Sequence, residues 1–197
     1  MTRHARNPGV IDFLMTRRSR SARTLGHEPP DAASLDTILT AAARTPDHGM
    51  LVPWRFVLIE RAAMPRIAEI AHHKALARGL DAAAAEKAAA QFGYGGLIVT
   101  VVSSPRPSAK IPVWEQELSA GAVCLSTLNA ALALGWGANW LTGPLARDRA
   151  FLSEALDLGE TETVAGFIHL GPETTGPAER KRPEVSALVT RLGADDQ

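Results

Sequence analysis

The stretch TRRSRSARTL, residues 16 to 25, places four arginines, Arg17, Arg18, Arg20 and Arg23, within seven positions. Basic groups recur in two other stretches: Arg44 and His48 in RTPDH, and Arg180 and Arg182 in AERKRP. A guanidinium presents a planar fork of donors that grips carboxylates and phosphates through two bonds at once. Brought together, the three stretches could clamp a phosphate and an electron-poor heterocycle. Two plainer readings stand beside this one. Cations at a helix end favour the helix dipole, which would account for Arg17 and Arg18 locally. A nucleic-acid patch would use the same side chains, but with a basic overall balance and exposed aromatics. This chain carries 21 basic and 21 acidic residues and only 5% aromatics, so any role for its arginines is local.

Other reactive residue types point to structure. The single cysteine, Cys124, excludes an intramolecular disulfide, agrees with a reducing compartment, and lies in an apolar helix where a buried thiol is expected. His72 and His73 fall on a surface helix with no third ligand at metal spacing. His169 sits in an apolar strand and reads as core or interface. No serine has the strand-to-helix elbow of a hydrolase. GWGANWLTG echoes a dinucleotide-binding glycine pattern, but it leads from helix to strand, the reverse of the required order. Its glycines would instead let backbone amides approach a flat ligand. RTPDHGMLVPWRF, residues 44 to 56, is a turn stiffened by Pro46 and Pro53, and taken alone it is a plain loop.

The elements that must position these residues follow from periodicity and caps. NPGVIDFLMTRRS is a helix with Asn7 as N-cap, Pro8 in its first turn, and Val10, Ile11, Leu14 and Met15 on one face. A second helix starts at Asp31, carries Leu35, Ile38, Leu39 and Ala42, and ends by Pro46. WRFVLIE, residues 54–60, is a strand. Residues 63–92 read as two helices hinged near Gly79, with AAAAEKAAA exposed. GGLIVTVVSS, 95–104, is a strand buried on both faces. Residues 113–137 form a long helix, apolar almost all round beyond its first two turns and therefore a core helix. ANWLTG at 138–143, ARDRAFLSEALDL and TVAGFIHLG add a strand, a helix and a strand. The tail from 172 to 197 is extended, with a helical turn or two in EVSALVTRL.

At 197 residues, with 46% apolar content, the chain suits one globular domain or one subunit of an intertwined oligomer. Helices and strands interleave without a βαβ rhythm, so the class is α+β, a sheet wrapped by helices. The longest apolar run, 118–136, is broken by Ser119, Gly121, Ser126, Thr127 and Asn129, and is no membrane span. The arginine-rich opening faintly suggests a transit peptide, against which stand Asp12 and the early helix. A cytoplasmic protein without membrane or nucleic-acid partners is expected.

The order of RRSR, RTPDH…PW, LIVTVVS, WEQELSAGAVCLSTLNAALALGWGANW, WLTG and FIHLG resembles the nitroreductase-like flavoprotein family, in its short single-domain branch. The likeness runs from about residue 10 to residue 192. It implies an α+β fold, a mainly antiparallel sheet wrapped by helices, in an entwined homodimer with FMN at each of two interface sites. By resemblance, Arg17, Arg18 and Ser19 hold the FMN phosphate, ribityl chain and pyrimidine edge, and Arg44 and His48 reach in from the partner chain. Trp140, Leu141 and Thr142 line the isoalloxazine, backbone amides near Thr142 and Gly143 face its N5/O4 edge, and Arg180 and Arg182 complete the phosphate clamp. The implied activity is NAD(P)H-dependent reduction of nitroaromatics, quinones or enones by ping-pong hydride transfer, with no catalytic side chain required. Dehalogenation, flavin cleavage or a flavin-binding module without turnover are the alternatives. One departure is Val52, where many members carry glutamine.

Overall fold

The computed structural model describes residues 5–193. In chain order the elements are α1 (Pro8–Thr16), α2 (Ala32–Ala42), β1 (Trp54–Glu60), α3 (Met64–Ala77), α4 (Ala82–Ala90), β2 (Leu97–Ser103), α5 (Val113–Ala133), β3 (Gly137–Leu141), α6 (Arg149–Leu156) and β4 (Thr163–Gly171). Short 3-10 turns lie between them, one at Ala22–Thr24 and one in the tail at Val185–Leu188. The caps are those the sequence offers. Asn7 Oδ1 accepts from Val10 N at 3.3 Å and Asp31 Oδ1 from Ser34 N at 2.9 Å. Asp81 and Asp148 cap α4 and α6 in the same way.

The four strands form one antiparallel sheet in the order β1-β2-β4-β3. β2 is central and every one of its residues is buried, as its unbroken apolar run requires. One sheet face carries α3, α4 and α6 around Phe92, Phe151 and Phe167, with the Phe92 and Phe167 rings edge-to-face at 5.2 Å. The other carries α2 and α5, through Ile38, Ala42, Val123 and Leu128. β3 is an edge strand, so the residues at its end are free to border cavities on both faces.

Three expectations change. α4 is not simply exposed: Ala85, Ala88 and Ala89 are buried, and with Ala71 and Ala75 of α3 they allow two helices to approach closely. α5 buries one side only; Leu118 and Leu125 face outward. α1 ends at Thr16, with Arg17 already extended, and none of its residues is buried although Val10, Ile11, Leu14 and Met15 form an apolar face. No described element of this chain lies over that face.

Candidate functional site

Residues 17–20 leave α1 and dock beside β3. Arg20 N donates to Ala138 O at 2.8 Å, and Asn139 Nδ2 donates to Arg20 O. The tail then returns along the same segment. Leu25 bridges to Glu173, Gly26 N donates to Pro172 O at 2.9 Å, and Arg20 Nε pairs with Glu173 at 2.7 Å. Arg18 holds the tail further on, through Ala178 O at 2.6 Å and the Glu179 carboxylate at 3.1 Å. Two distant basic stretches are thereby joined.

Where they meet is a cavity of about 440 Å³, lined by Arg17, Arg18, Ser19, Arg180 and Arg182, with Leu128, Trp140 and Thr142 as its other wall. No acidic residue among the described residues lines it. Arg17 donates to Ser19 Oγ at 3.1 Å, but its Nε is buried with no acceptor among the described residues. Burial, and then Arg182, Arg18 and Arg20, lower the Arg17 pKa, the signature of cations crowded where an anion would relieve them. Arg17 is the C-cap of α1, its N–H donating to Phe13 O at 2.7 Å, so the helix dipole favours its charge, but the dipole gives no reason for the tail to bring Arg180 and Arg182 beside it.

β3 alternation divides the other candidates. Trp140 and Thr142 face the arginine cavity. Leu141 faces a second cavity of about 540 Å³ on the α4 side. Thr142 and Gly143, past the end of β3, border it too, and both also border a third cavity of about 430 Å³ with Ser103, Glu117 and Arg147. The walls of the second cavity are mainly apolar, from Ala22, Leu80, Ala84, Ala88 and Pro144, with Ser21, Arg23, Lys87, Gln91, Tyr94 and Asn139 among them. Lys87, Gln91 and Tyr94 are absent from the sequence-based site. The spacing of Ala84, Lys87, Ala88 and Gln91 on one helical face was the signal for them, hidden inside an alanine-rich run. Gly143 has φ +87°, a conformation that favours glycine, and an added Cβ would lie 3.4 Å from Gln91 Nε2. The Trp140 indole lies on Gly166 and donates to Ala165 O at 3.3 Å.

Arg44 and His48 are not brought to any of these cavities. Both are exposed, Arg44 just past the end of α2 and His48 at the start of the 3-10 turn His48–Met50. Neighbouring Thr45 bonds Ser126 of α5 at 2.9 Å, roughly 200° around that helix from Leu128. His48 Nδ1 pairs with Glu115 at 2.8 Å, about 20 Å along the same helix from Leu128. Val52 adopts φ +47°, unusual for a β-branched residue, and its N–H donates to Asp47 at 3.0 Å.

Two buried groups take structural states. Burial pushes the Cys124 thiol up to about 12, so it stays protonated. It also pushes His169 down to about 4; the neutral ring meets Tyr94 O at 3.3 Å, which assigns the proton to Nδ1.

The profile of the nitroreductase family matches residues 14–172. YdjA of Escherichia coli K12, named as an NAD(P)H nitroreductase, is 34% identical over 182 residues, covering 92% of this chain and 98% of YdjA. A nitroreductase-like family protein from Bacillus cereus superposes with a TM-score of 0.77 at 18% identity, over 98% of this chain and 99% of its own. A nitroreductase with bound FMN from Bacteroides fragilis superposes at 0.66 and 20% identity, over 93% and 98%. Among the described residues no helix is long and apolar enough to cross a membrane. The family profile runs from the end of α1 through β4, and a relative at 34% identity matches nearly the whole chain, so this protein belongs to the nitroreductase family.

Proposed function

We propose that this protein is a cytoplasmic FMN-dependent NAD(P)H oxidoreductase that reduces electron-poor acceptors such as nitroaromatics, quinones or enones. The observation that carries the reading is the pair of cavities sharing Thr142. One is cationic and, among the described residues, has no acidic lining and no acceptor for Arg17 Nε; the other is mainly apolar. FMN has the matching polarity, a phosphate at one end and a flat ring at the other. Arg17, Arg180 and Arg182 would hold the phosphate, Ser19 the ribityl chain, and Arg18 the tail that carries two of those arginines. Trp140 and Leu141 would border the ring, with the amides near Thr142 and Gly143 at its N5/O4 edge. Bound FMN supplies the hydride chemistry, and the protein supplies position and electrostatics. Relatives support both cofactors: YdjA is named for NAD(P)H, and the Bacteroides fragilis structure holds FMN.

The assembly proposed is a homodimer. Met15 is 78% exposed on α1, and Trp114 and Leu118 are 60% and 65% exposed on α5, apolar surface that a second copy would cover. Arg44 and His48, remote from their own chain's cavities, would then serve the partner's flavin.

Spectroscopy of the purified protein and steady-state kinetics test the reading. FMN should be released on denaturation, and NADH or NADPH oxidation should depend on an added acceptor, with parallel initial-rate lines because donor and acceptor share one slot. A protein that neither carries nor takes up FMN would refute it.

A further inference from the structure

We infer that Arg23 and Lys87 form an anion-selective subsite for the reactants, which selects planar molecules bearing a carboxylate or phosphate over their neutral counterparts. The inference rests on the FMN reading, because it concerns what lies beside the ring in the second cavity. Arg23 and Lys87 line that cavity, and among the described residues no aspartate or glutamate does. Both are exposed and neither has a carboxylate partner among the described residues, a state they share with most cations of the chain; what sets them apart is that they border one mainly apolar cavity. The Arg23 guanidinium lies over the Tyr94 ring, 5.9 Å from the centroid, a contact that biases its position toward the cavity without neutralising its charge.

The position of these charges separates them from the phosphate clamp. Arg23 comes from the 3-10 turn at Ala22–Thr24 and Lys87 from α4, while Arg17, Arg180 and Arg182 line the cavity on the α5 face of β3. The FMN phosphate, held in the arginine cavity, leaves Arg23 and Lys87 without an anion. Leu141, Thr142 and Gly143, against which the ring is proposed to lie, line the same cavity. A planar molecule in the remaining space would bury its ring against Leu80, Ala84 and Ala88 and present its charged edge to the two cations. With zero net charge on the chain, this attraction comes from the site and not from the protein as a whole. The anionic group has two sources, an acceptor carboxylate or a phosphate of the pyridine nucleotide.

The test uses the FMN-loaded protein and two unreactive probes of nearly equal shape, benzoate and benzamide, titrated by flavin difference absorbance and by calorimetry. The second arm compares KM for NADPH and NADH. Each is repeated with Arg23→Gln, Lys87→Gln and the double variant, with FMN content recorded. The wild type should bind benzoate about tenfold more tightly than benzamide, or show a comparable preference for NADPH. The double variant should bring that ratio close to one, as should raising the salt to about 0.5 M. A change in the benzoate arm assigns the anion to the acceptor, and a change in the nucleotide arm assigns it to the donor. Absence of discrimination in both arms, ratios unmoved by the double variant, or loss of FMN from that variant would overturn the inference while leaving the FMN reading in place. A wild type without FMN would overturn both.

Discussion

Arg17 differs from its neighbours in what it lacks. Arg18 and Arg20 already hold carboxylates, whereas the buried Arg17 Nε has no acceptor among the described residues. Arg17→Gln keeps much of the side chain's length and removes its charge. Its FMN dissociation constant should rise about 10- to 150-fold, the loss of a charge-assisted bond worth about 1.5–3 kcal/mol. Flavin fluorescence titration measures it, and an unchanged constant would reduce Arg17 to a support for Ser19. A second single-residue prediction concerns stability. Arg55 grips Glu162 through two bonds at 2.7 and 2.8 Å, and this bidentate contact, opposed by burial and helped by Gly159 N, holds the carboxyl at about 2. The folded pKa lies below the unfolded one, so the stabilisation is present above the ordinary carboxylate range and is lost as pH falls toward 2. Glu162→Gln should cost about 1 kcal/mol at neutral pH, the screened worth of a half-exposed pair. Urea midpoints should show this gap closing as the solution is acidified from pH 4.5 toward 2. A gap that stayed constant across that range would contradict the account.

At the scale of elements, β3 and β4 set the geometry of the site together. The Trp140 indole rests on Gly166, and a Cβ there would meet the indole and also Cys124 Sγ at 2.9 Å. Gly166→Ala should therefore displace Trp140 from the arginine cavity and destabilise the fold by about 1–3 kcal/mol through overpacking. Thermal melts and tryptophan emission would detect both, and a variant with wild-type emission would show that the indole does not need that contact. Much of this layer was legible in advance. Asn7 and Asp31 announce their helices by cap chemistry, and β1 and β4 begin and end where β-branched and aromatic runs do. The arginine cavity was foreseeable as residue types, but not as a place, because a contact between residues 18 and 178 depends on how the tail returns. Sequence proximity groups Leu141 with Trp140, whereas strand alternation turns Leu141 to the other cavity; Thr142, just past the strand, borders both. The α1 stripe was legible as apolar, and its exposure was not, because periodicity reports what must be covered and not which chain covers it.

The whole molecule is electrically neutral, with exposed apolar residues grouped on α1, on α5 and in the tail at 185–192, and with basic residues at two remote places. Reciprocal sites across a two-fold axis would use both features. If so, a chain carrying Arg17→Glu and Ser19→Asp and one carrying Arg44→Glu and His48→Asp should each be folded, dimeric and empty. Their mixed dimer should regain roughly one FMN per two chains, because one site receives two intact halves. A mixed dimer that stays colourless would place both segments at the same chain's flavin. The central claim, that FMN is anchored by its phosphate in the arginine cavity, is tested most directly by titrating the flavin-free protein with FMN and with riboflavin, which differ only in that phosphate. The account predicts that FMN binds at least about 100-fold more tightly, the worth of two or more charge-assisted contacts. Equal affinity for the two flavins would contradict it.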